Sequence, residues 1–254
     1  MEAVGTTLVR SQGTLEEALA LVSRMGFRLV ELGVQPWCDL KPEKLLACYE
    51  QEVARVRSLL EQHDLTAVAL NAGLVERTAE GMRMLAALAH DLSVKLVTLN
   101  PRSPETGFPE EAGELREFAG ICKSQGVQAA VETHMFSTTE QPENALKLAQ
   151  QVPGLGLTLD VSHYYCNGSE DRIRPLLPYV KHVHIRDCGR TWDRIQMPFG
   201  EGLLDLKRWA DELRTARYNG WMAVEYIDLP EVAFPVEEAT VNCKKAIEAT
   251  WRDE

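Results

Sequence analysis

The chain has 254 residues, 45% of them apolar and 26% charged, with 17 Gly and 12 Pro. A chain this apolar offsets its ordering entropy by burial, which excludes disorder, and its length suits one α/β barrel of roughly 250 residues. Lys and Arg number 27 against 38 Asp and Glu, a formal charge of −11; with no basic run, the chain is poorly suited to hold nucleic-acid phosphates by counterion release.

In chain order, the opening Met1-Glu2-Ala3-Val4 lacks the basic and apolar regions of a secretory signal, which gives a cytoplasmic expectation. An apolar, β-branched run at 5–9 predicts a first strand. Thr14 stands three residues before Glu17, a capping-box spacing, and opens a helix over 15–25 that Gly26 stops. A second strand run covers 27–34, and helical periodicity returns over 45–60. Further strand runs lie at 66–71, 95–100, 128–134, 156–162, 180–186 and 221–227. The richest apolar stretch, 82–99, is broken by His90, Asp91 and Lys95, so no uncharged run reaches the ~20 residues of a membrane-spanning helix. One strand run in every 32 residues or so is the size of a βα repeat. Leu155-Gly-Leu-Thr-Leu is apolar nearly throughout, as in parallel strands covered by helices on both faces. The expected fold class is α/β, a single (β/α)8 TIM barrel in one domain spanning 1–254. A doubly wound open sheet is the competitor. No Gly-x-Gly-x-x-Gly turn follows the first run, so a dinucleotide site has no support.

In such a barrel the active site lies at the carboxyl ends of the strands. The fifth run ends Val131-Glu132-Thr133-His134 and the sixth Leu159-Asp160-Val161-Ser162-His163. The seventh reads His182-Val183-His184-Ile185-Arg186-Asp187 and the eighth Ala223-Val224-Glu225-Tyr226. A single acid there would be a solvated residue or a helix cap, and a single His a structural hydrogen-bonder. Consecutive strands that deliver Glu, Asp, His and Glu from one end change the reading. Charge in an apolar run is costly unless it is paired or coordinates a metal, and clustered carboxylates repel without a cation. Glu132, Asp160, His184 and Glu225 therefore read as a site for one divalent metal ion. Such a ligand set suits a hard cation, Mn²⁺ first, with Mg²⁺, Co²⁺ or Zn²⁺ as alternatives.

The order Glu132, Asp160-x-x-His163, His184-x-x-x-x-x-Arg190 and Glu225 resembles the xylose isomerase-like superfamily of TIM barrels. Within it, the chain looks most like the sugar isomerase/epimerase branch that includes D-tagatose 3-epimerase. Val183-His-Ile-Arg-Asp187 is similar to that branch's seventh-strand signature and Pro198-Phe-Gly-Glu-Gly202 to its following loop. The resemblance implies that Glu132, Asp160, His184 and Glu225 bind the metal. It also makes Glu132 and Glu225 an acid/base pair on opposite faces of a substrate carbon, with His163 and Arg190 holding substrate oxygens. The implied activity is that of a sugar isomerase or epimerase, acting on a ketose or cyclic polyol through a cis-enediolate. A homodimer or homotetramer is the family expectation. One alternative is a lyase similar to inosose dehydratase, which expels a β-hydroxyl. Another is the apurinic endonuclease branch, whose zinc cluster needs histidines from earlier strands. Asn71 and Asn100 stand there instead, while His63 and His90 belong to helical segments. A non-catalytic, metal-stabilised sugar-binding protein is the third.

Other positions are ambiguous. Alternation puts His134 on the pocket side with Glu132, as a substrate contact or a structural hydrogen-bonder. Glu31, Asn71 and Asn100 could bind hydroxyls or serve as caps. Arg186 points inward by alternation from His184 and competes with Arg190, while Asp187 could hold an arginine. Trp37 could wall the sugar or a subunit contact. The long loop 188–203, with Trp192 and Phe199, is a candidate lid. Glu201 and Asp228 would repel phosphate, although Arg190 and Arg194 lie nearby, so an unphosphorylated substrate is expected. The cysteines Cys38, Cys48, Cys122, Cys166, Cys188 and Cys243 form no Cys-x-x-Cys pair and read as reduced thiols. Cys166 and Cys188 follow predicted strands and could line the pocket, but nothing marks them as nucleophiles.

Overall fold

Strands buried on both faces can pair only with one another and must be covered by helices. The computed structural model, which describes residues 1–251, satisfies this with a closed parallel barrel whose strands follow sequence order. Residues 252–254, the end of the expected domain, lie outside the described residues. The strands are β1 (Ala3–Thr6), β2 (Leu29–Val34), β3 (Thr66–Ala72), β4 (Leu96–Leu99), β5 (Gln128–Glu132), β6 (Gly156–Asp160), β7 (Val180–Ile185) and β8 (Trp221–Val224). β8 pairs back onto β1 and closes the ring. The helices are α1 (Leu15–Arg24), α2 (Pro42–Ala47), α3 (Tyr49–Gln62), α4 (Ala79–Asp91), α5 (Phe108–Ser124), α6 (Pro142–Gln151), α7 (Val161–Cys166), α8 (Leu206–Thr215) and α9 (Val236–Thr250). Their apolar faces join strand residues in one large buried cluster.

A second, smaller cluster of Val4, Val68, Ala69, Leu96, Ala130 and Ala223 is contributed by the strands alone. Two residues beyond four of these stand Asn71, Thr98, Glu132 and Glu225, which alternation sends to the same side. The lumen thus changes from apolar to polar toward the carboxyl ends. Glu31, Thr98, Thr158 and His182 are all fully buried, and the Thr98 and Thr158 hydroxyls meet at 2.6 Å. This polar layer carries the site.

Local signals behave as expected at α1. Thr14 Oγ1 accepts from the Glu17 N–H at 3.2 Å, and Glu17 Oε2 accepts from the Thr14 N–H at 2.8 Å. Gly26 then leaves the helix with a φ of +79°, a conformation open to glycine without steric cost.

The boundaries differ elsewhere. The first strand is Ala3–Thr6 rather than 5–9, because Thr7–Arg10 winds into a short 3-10 turn that buries Leu8 and Val9. Thr6 Oγ1 accepts from the Leu8 N–H at 3.3 Å and Thr7 Oγ1 from the Gly33 N–H at 2.8 Å, which hold that turn against β2. The expected helix at 45–60 is two helices, since Cys48 leaves helical geometry at φ −140°, ψ 47°. The sixth strand stops at Asp160, where α7 begins at once. No helix among the described residues is long and apolar enough to cross a membrane.

Candidate metal centre

Glu132 and Asp160 end β5 and β6, His184 lies in β7, and Glu225 follows β8. Register sets Glu132 beside Thr158, Asp160 beside His184, and His184 beside Ala223. Neighbouring strands therefore aim these side chains at one point. One donor atom from each of Glu132, Asp160, His184 and Glu225 lies within 4.8 Å of all the others, and the residues are buried. His184 Nδ1 is 2.8 Å from Glu132 Oε1 and 3.3 Å from Glu225 Oε1. Asp160 Oδ1 accepts from the Ser162 N–H at 2.9 Å and from its hydroxyl at 2.5 Å, so the start of α7 also orients the carboxylate.

Arg186 sits among these groups. Its Nη1 donates to Glu225 Oε2 at 2.6 Å, its Nη2 to Asp160 Oδ2 at 2.7 Å, and its Nε to Ser162 Oγ at 3.1 Å. Asn71 Nδ2 donates to Glu225 Oε1 at 2.9 Å. Gln35 Nε2 in turn donates to Asn71 Oδ1 at 3.0 Å and Asn100 Oδ1 at 3.4 Å. Asn71 and Asn100 thus belong to a network that grips Glu225 rather than to helix caps.

Burial and mutual repulsion dominate the electrostatics. Burial, with Glu132 and Asp160 nearby, pushes the Glu225 carboxyl up to about 8, against the pull of His184 and Arg186. Burial resists charge on Asp160 too, but Arg186, His163 and His184 outweigh it and hold that carboxyl low. Burial also opposes charge on His184, yet Glu225, Glu31 and Glu132 raise it well above the ordinary imidazole range. Glu31 stays ionised despite burial because His184 and His182 face it.

The donor set fits a hard divalent cation, with carboxylate oxygens and an imidazole nitrogen facing a common point. Such a cation must displace protons from His184 and Glu225, because ligands bind deprotonated. Glu225's raised value means that protons compete as the pH falls below about 8. Manganese affinity should therefore rise as the pH is raised toward 8, with proton release visible by calorimetry in buffers of different ionisation enthalpy. In the metal-free protein the sign reverses, since stabilisation by the protonated Glu225 carboxyl is lost as the pH rises through 8. Affinity that is flat with pH and releases no proton would contradict this electrostatic account.

The proposed substrate contacts lie at different depths. The buried His163 has Nε2 3.4 Å from Asp160 Oδ2 and 3.2 Å from Arg186 Nη2. Burial, then His134, keeps His163 neutral, and its Nδ1 is buried without a hydrogen-bond partner. The His134 ring lies 3.9 Å from His163, with Trp192 of the 188–203 loop 5.9 Å from each. Arg190 does not join the cluster. Its half-exposed guanidinium pairs with Glu170 Oε1 at 2.6 Å and donates to the Tyr165 carbonyl at 3.3 Å. Of the competing arginines, Arg186 is the one the barrel brings to the carboxylates. Trp37 is exposed after β2.

Asp187 holds backbone rather than an arginine. Its carboxylate accepts from the N–H groups of Cys188, Gly200, Gly202 and Leu204 at 2.8–3.0 Å, which ties both ends of the 188–203 loop to the barrel. A Cβ on Gly202 would lie 2.1 Å from Asp187 Oδ1, so the backbone there must be bare. Cys166 Sγ donates to the Thr191 carbonyl at 3.3 Å, and burial pushes that thiol up to about 11. Asp228 is occupied by the Ser11 hydroxyl at 2.6 Å.

The roles of Gln35 and Ser162 escaped the sequence. His182 was open to detection, since it precedes His184 by two residues and alternation puts both in the lumen.

Comparison with known proteins places this geometry in a family. The model of the xylose isomerase-like TIM barrel family matches residues 19–247. The chain is 26% identical over 175 residues to an inosose dehydratase of Yersinia enterocolitica, covering 59% of this chain and 57% of that one. The match thus spans little more than half of the relative's length. A D-tagatose 3-epimerase-like protein shares the fold with a TM-score of 0.79 at 17% identity, covering 99% of both chains. So does a xylose isomerase-like TIM barrel protein from Mycobacterium smegmatis, solved in complex with magnesium, with a TM-score of 0.79 at 13% identity over 98% of this chain and 96% of that one. With residues 19–247 of its 254 matched by the family model, the chain belongs to the xylose isomerase-like TIM barrel family.

Proposed function

We propose that the chain is a divalent-metal-dependent isomerase or epimerase of a ketose or cyclic polyol, in which Glu132 and Glu225 move a carbon-bound proton. The observation that carries this reading is the convergence of Glu132, Asp160, His184 and Glu225, each from its own strand, within 4.8 Å. These residues would hold the cation, which when bound supplies Lewis acidity to a carbonyl and its neighbouring hydroxyl. One carboxylate takes the proton from the hydroxyl-bearing carbon and the other returns it. Return to the opposite face inverts that carbon, whereas return to the adjacent carbon isomerises the sugar. Asn71 and Arg186 hold the two oxygens of Glu225 and so fix its aim. His163, with its unpartnered Nδ1, and His134 beside it would contact substrate hydroxyls. Arg190, held by Glu170, stands at the outer wall, and Arg186 is the cation nearest the reacting groups.

A second reading is favoured by a specific observation. The sequence match is to an inosose dehydratase, and the Arg186 guanidinium is a buried donor beside the proton-moving carboxylates. A β-hydroxyl held there would leave as water once one carboxylate has taken the carbon-bound proton and the other has given a proton to the departing oxygen. The two readings share the proton abstraction and differ in whether water is then lost.

Incubation with Mn²⁺ and a panel of ketoses and inososes in D₂O separates them. Deuterium beside the carbonyl of an epimer or isomer supports the first reading, and an unsaturated product one water lighter supports the second. A protein that binds these compounds with neither outcome is a binding protein, and both enzymatic readings fall.

A further inference from the structure

We propose that Glu31 is the positioning residue of this centre: from the opposite side of the lumen it fixes the orientation and tautomer of His184, so that Nδ1 faces the cation. The inference rests on the metal reading above and adds a residue to it. Glu31 lies in β2 and His184 in β7, and both are fully buried. Glu31 Oε2 is 2.8 Å from His182 Nε2 and 3.1 Å from His184 Nε2. The two rings stand 5.2 Å apart at 87°, so they reach the same oxygen from different directions.

An ionised carboxylate oxygen can only accept, and each neutral imidazole carries a single N–H. Facing one acceptor, both rings place an N–H on Nε2. The proton a cation would displace from His184 is then the one on Nδ1, and the lone pair left there is directed toward Glu132 and Glu225, the side on which the cation would bind. A carboxylate behind a metal-bound imidazole fixes the tautomer and raises the ring's basicity. Glu31 matches that role by position, by charge and by the nitrogen it addresses.

The trio is costly as mere filling. Glu31 Oε1 and His182 Nδ1 are buried with no hydrogen-bond partner, and apolar side chains would pack the same lumen without unpaired polar atoms. Glu31, His182 and His184 also have donor atoms close enough to hold an ion themselves. An ion seated there would take Nε2 of His184 and leave the ring's N–H on Nδ1, donating to the carboxylates. The two arrangements assign opposite nitrogens to the metal.

Nitrogen-15 NMR of the wild-type protein loaded with Zn²⁺ reads this directly. His184 with a metallated Nδ1 and a protonated Nε2 is expected, whereas a metallated Nε2 overturns the proposal. Calorimetric titration with Mn²⁺ supplies the second readout. Glu31→Gln should weaken binding by about 10–100-fold, while His182→Gln, which leaves Glu31 on His184, should change it only a few-fold. Unchanged affinity in a folded Glu31→Gln protein sinks the positioning role and leaves the proposed function standing. A second ion lost in both variants would make the trio a metal site in its own right, against the proposal. A wild-type protein that binds no metal removes the reading and the inference together.

Discussion

Glu132→Gln and Glu225→Gln are each expected to slow exchange of the carbon-bound proton by about 10²–10⁴-fold at saturating Mn²⁺. Glutamine has nearly the same shape as glutamate, but its amide neither takes nor returns a proton near neutral pH. Saturating metal matters because the substitution also replaces a charged side chain of the proposed metal site with a neutral one, and the loss should persist after occupancy is restored. The two variants differ in their structural consequences. Glu225 accepts from Asn71 on one oxygen and from Arg186 on the other, and a glutamine keeps only one acceptor. Glu225→Gln should therefore also loosen the Asn71–Arg186 bracket, whereas Glu132→Gln should not. Deuterium incorporation from D₂O, with circular dichroism as the fold control, measures the effect. Exchange that survives in both proteins removes the acid/base assignment.

Arg186→Met is expected to destabilise the protein in the presence of a chelator by about 3–5 kcal/mol, the cost of stripping the partner from buried charges. The guanidinium binds Asp160 and Glu225 at 2.7 and 2.6 Å, and all three side chains are at most 5% exposed. Methionine fills much of the volume and supplies no charge. In a chain of this length the melting temperature should drop by roughly 10 °C. Mn²⁺ should recover much of that loss, since it neutralises the same carboxylates and binds only the folded state. Arg190→Met is the control. Its guanidinium is 54% exposed, although Glu170 is 8% exposed, so water can reach the cation and Arg190→Met should cost less than Arg186→Met. Equal melting of Arg186→Met and wild-type protein in chelator would show that the cluster does not depend on Arg186.

The fold was legible because barrel strands announce themselves as apolar runs at regular intervals, and the four acidic and histidine side chains because each stands near the carboxyl end of such a run. What stayed hidden depends on contacts distant in sequence. Glu31 stands in Leu29-Val-Glu-Leu like any half-buried acid, and only closure of the ring brings it to His182 and His184. Arg186 and Arg190 are equally plausible in a linear motif. Strand alternation favours Arg186, but the course of the 188–203 loop, which carries Arg190 toward Glu170, has no periodic signature. Asp187 reads as a charged strand end, and its partners are backbone N–H groups as far along as Leu204. The expected first strand runs too far along the chain because buried Leu8 and Val9 look alike to hydropathy whether they continue a strand or fill a 3-10 turn.

If the proposed function holds, a single divalent cation sits between the ends of β5, β6, β7 and β8. Anomalous diffraction from crystals of the Mn²⁺-loaded protein should then show one manganese peak within bonding distance of Glu132, Asp160, His184 and Glu225. A loaded protein whose manganese lies elsewhere, for instance between Glu31 and His182, would contradict it.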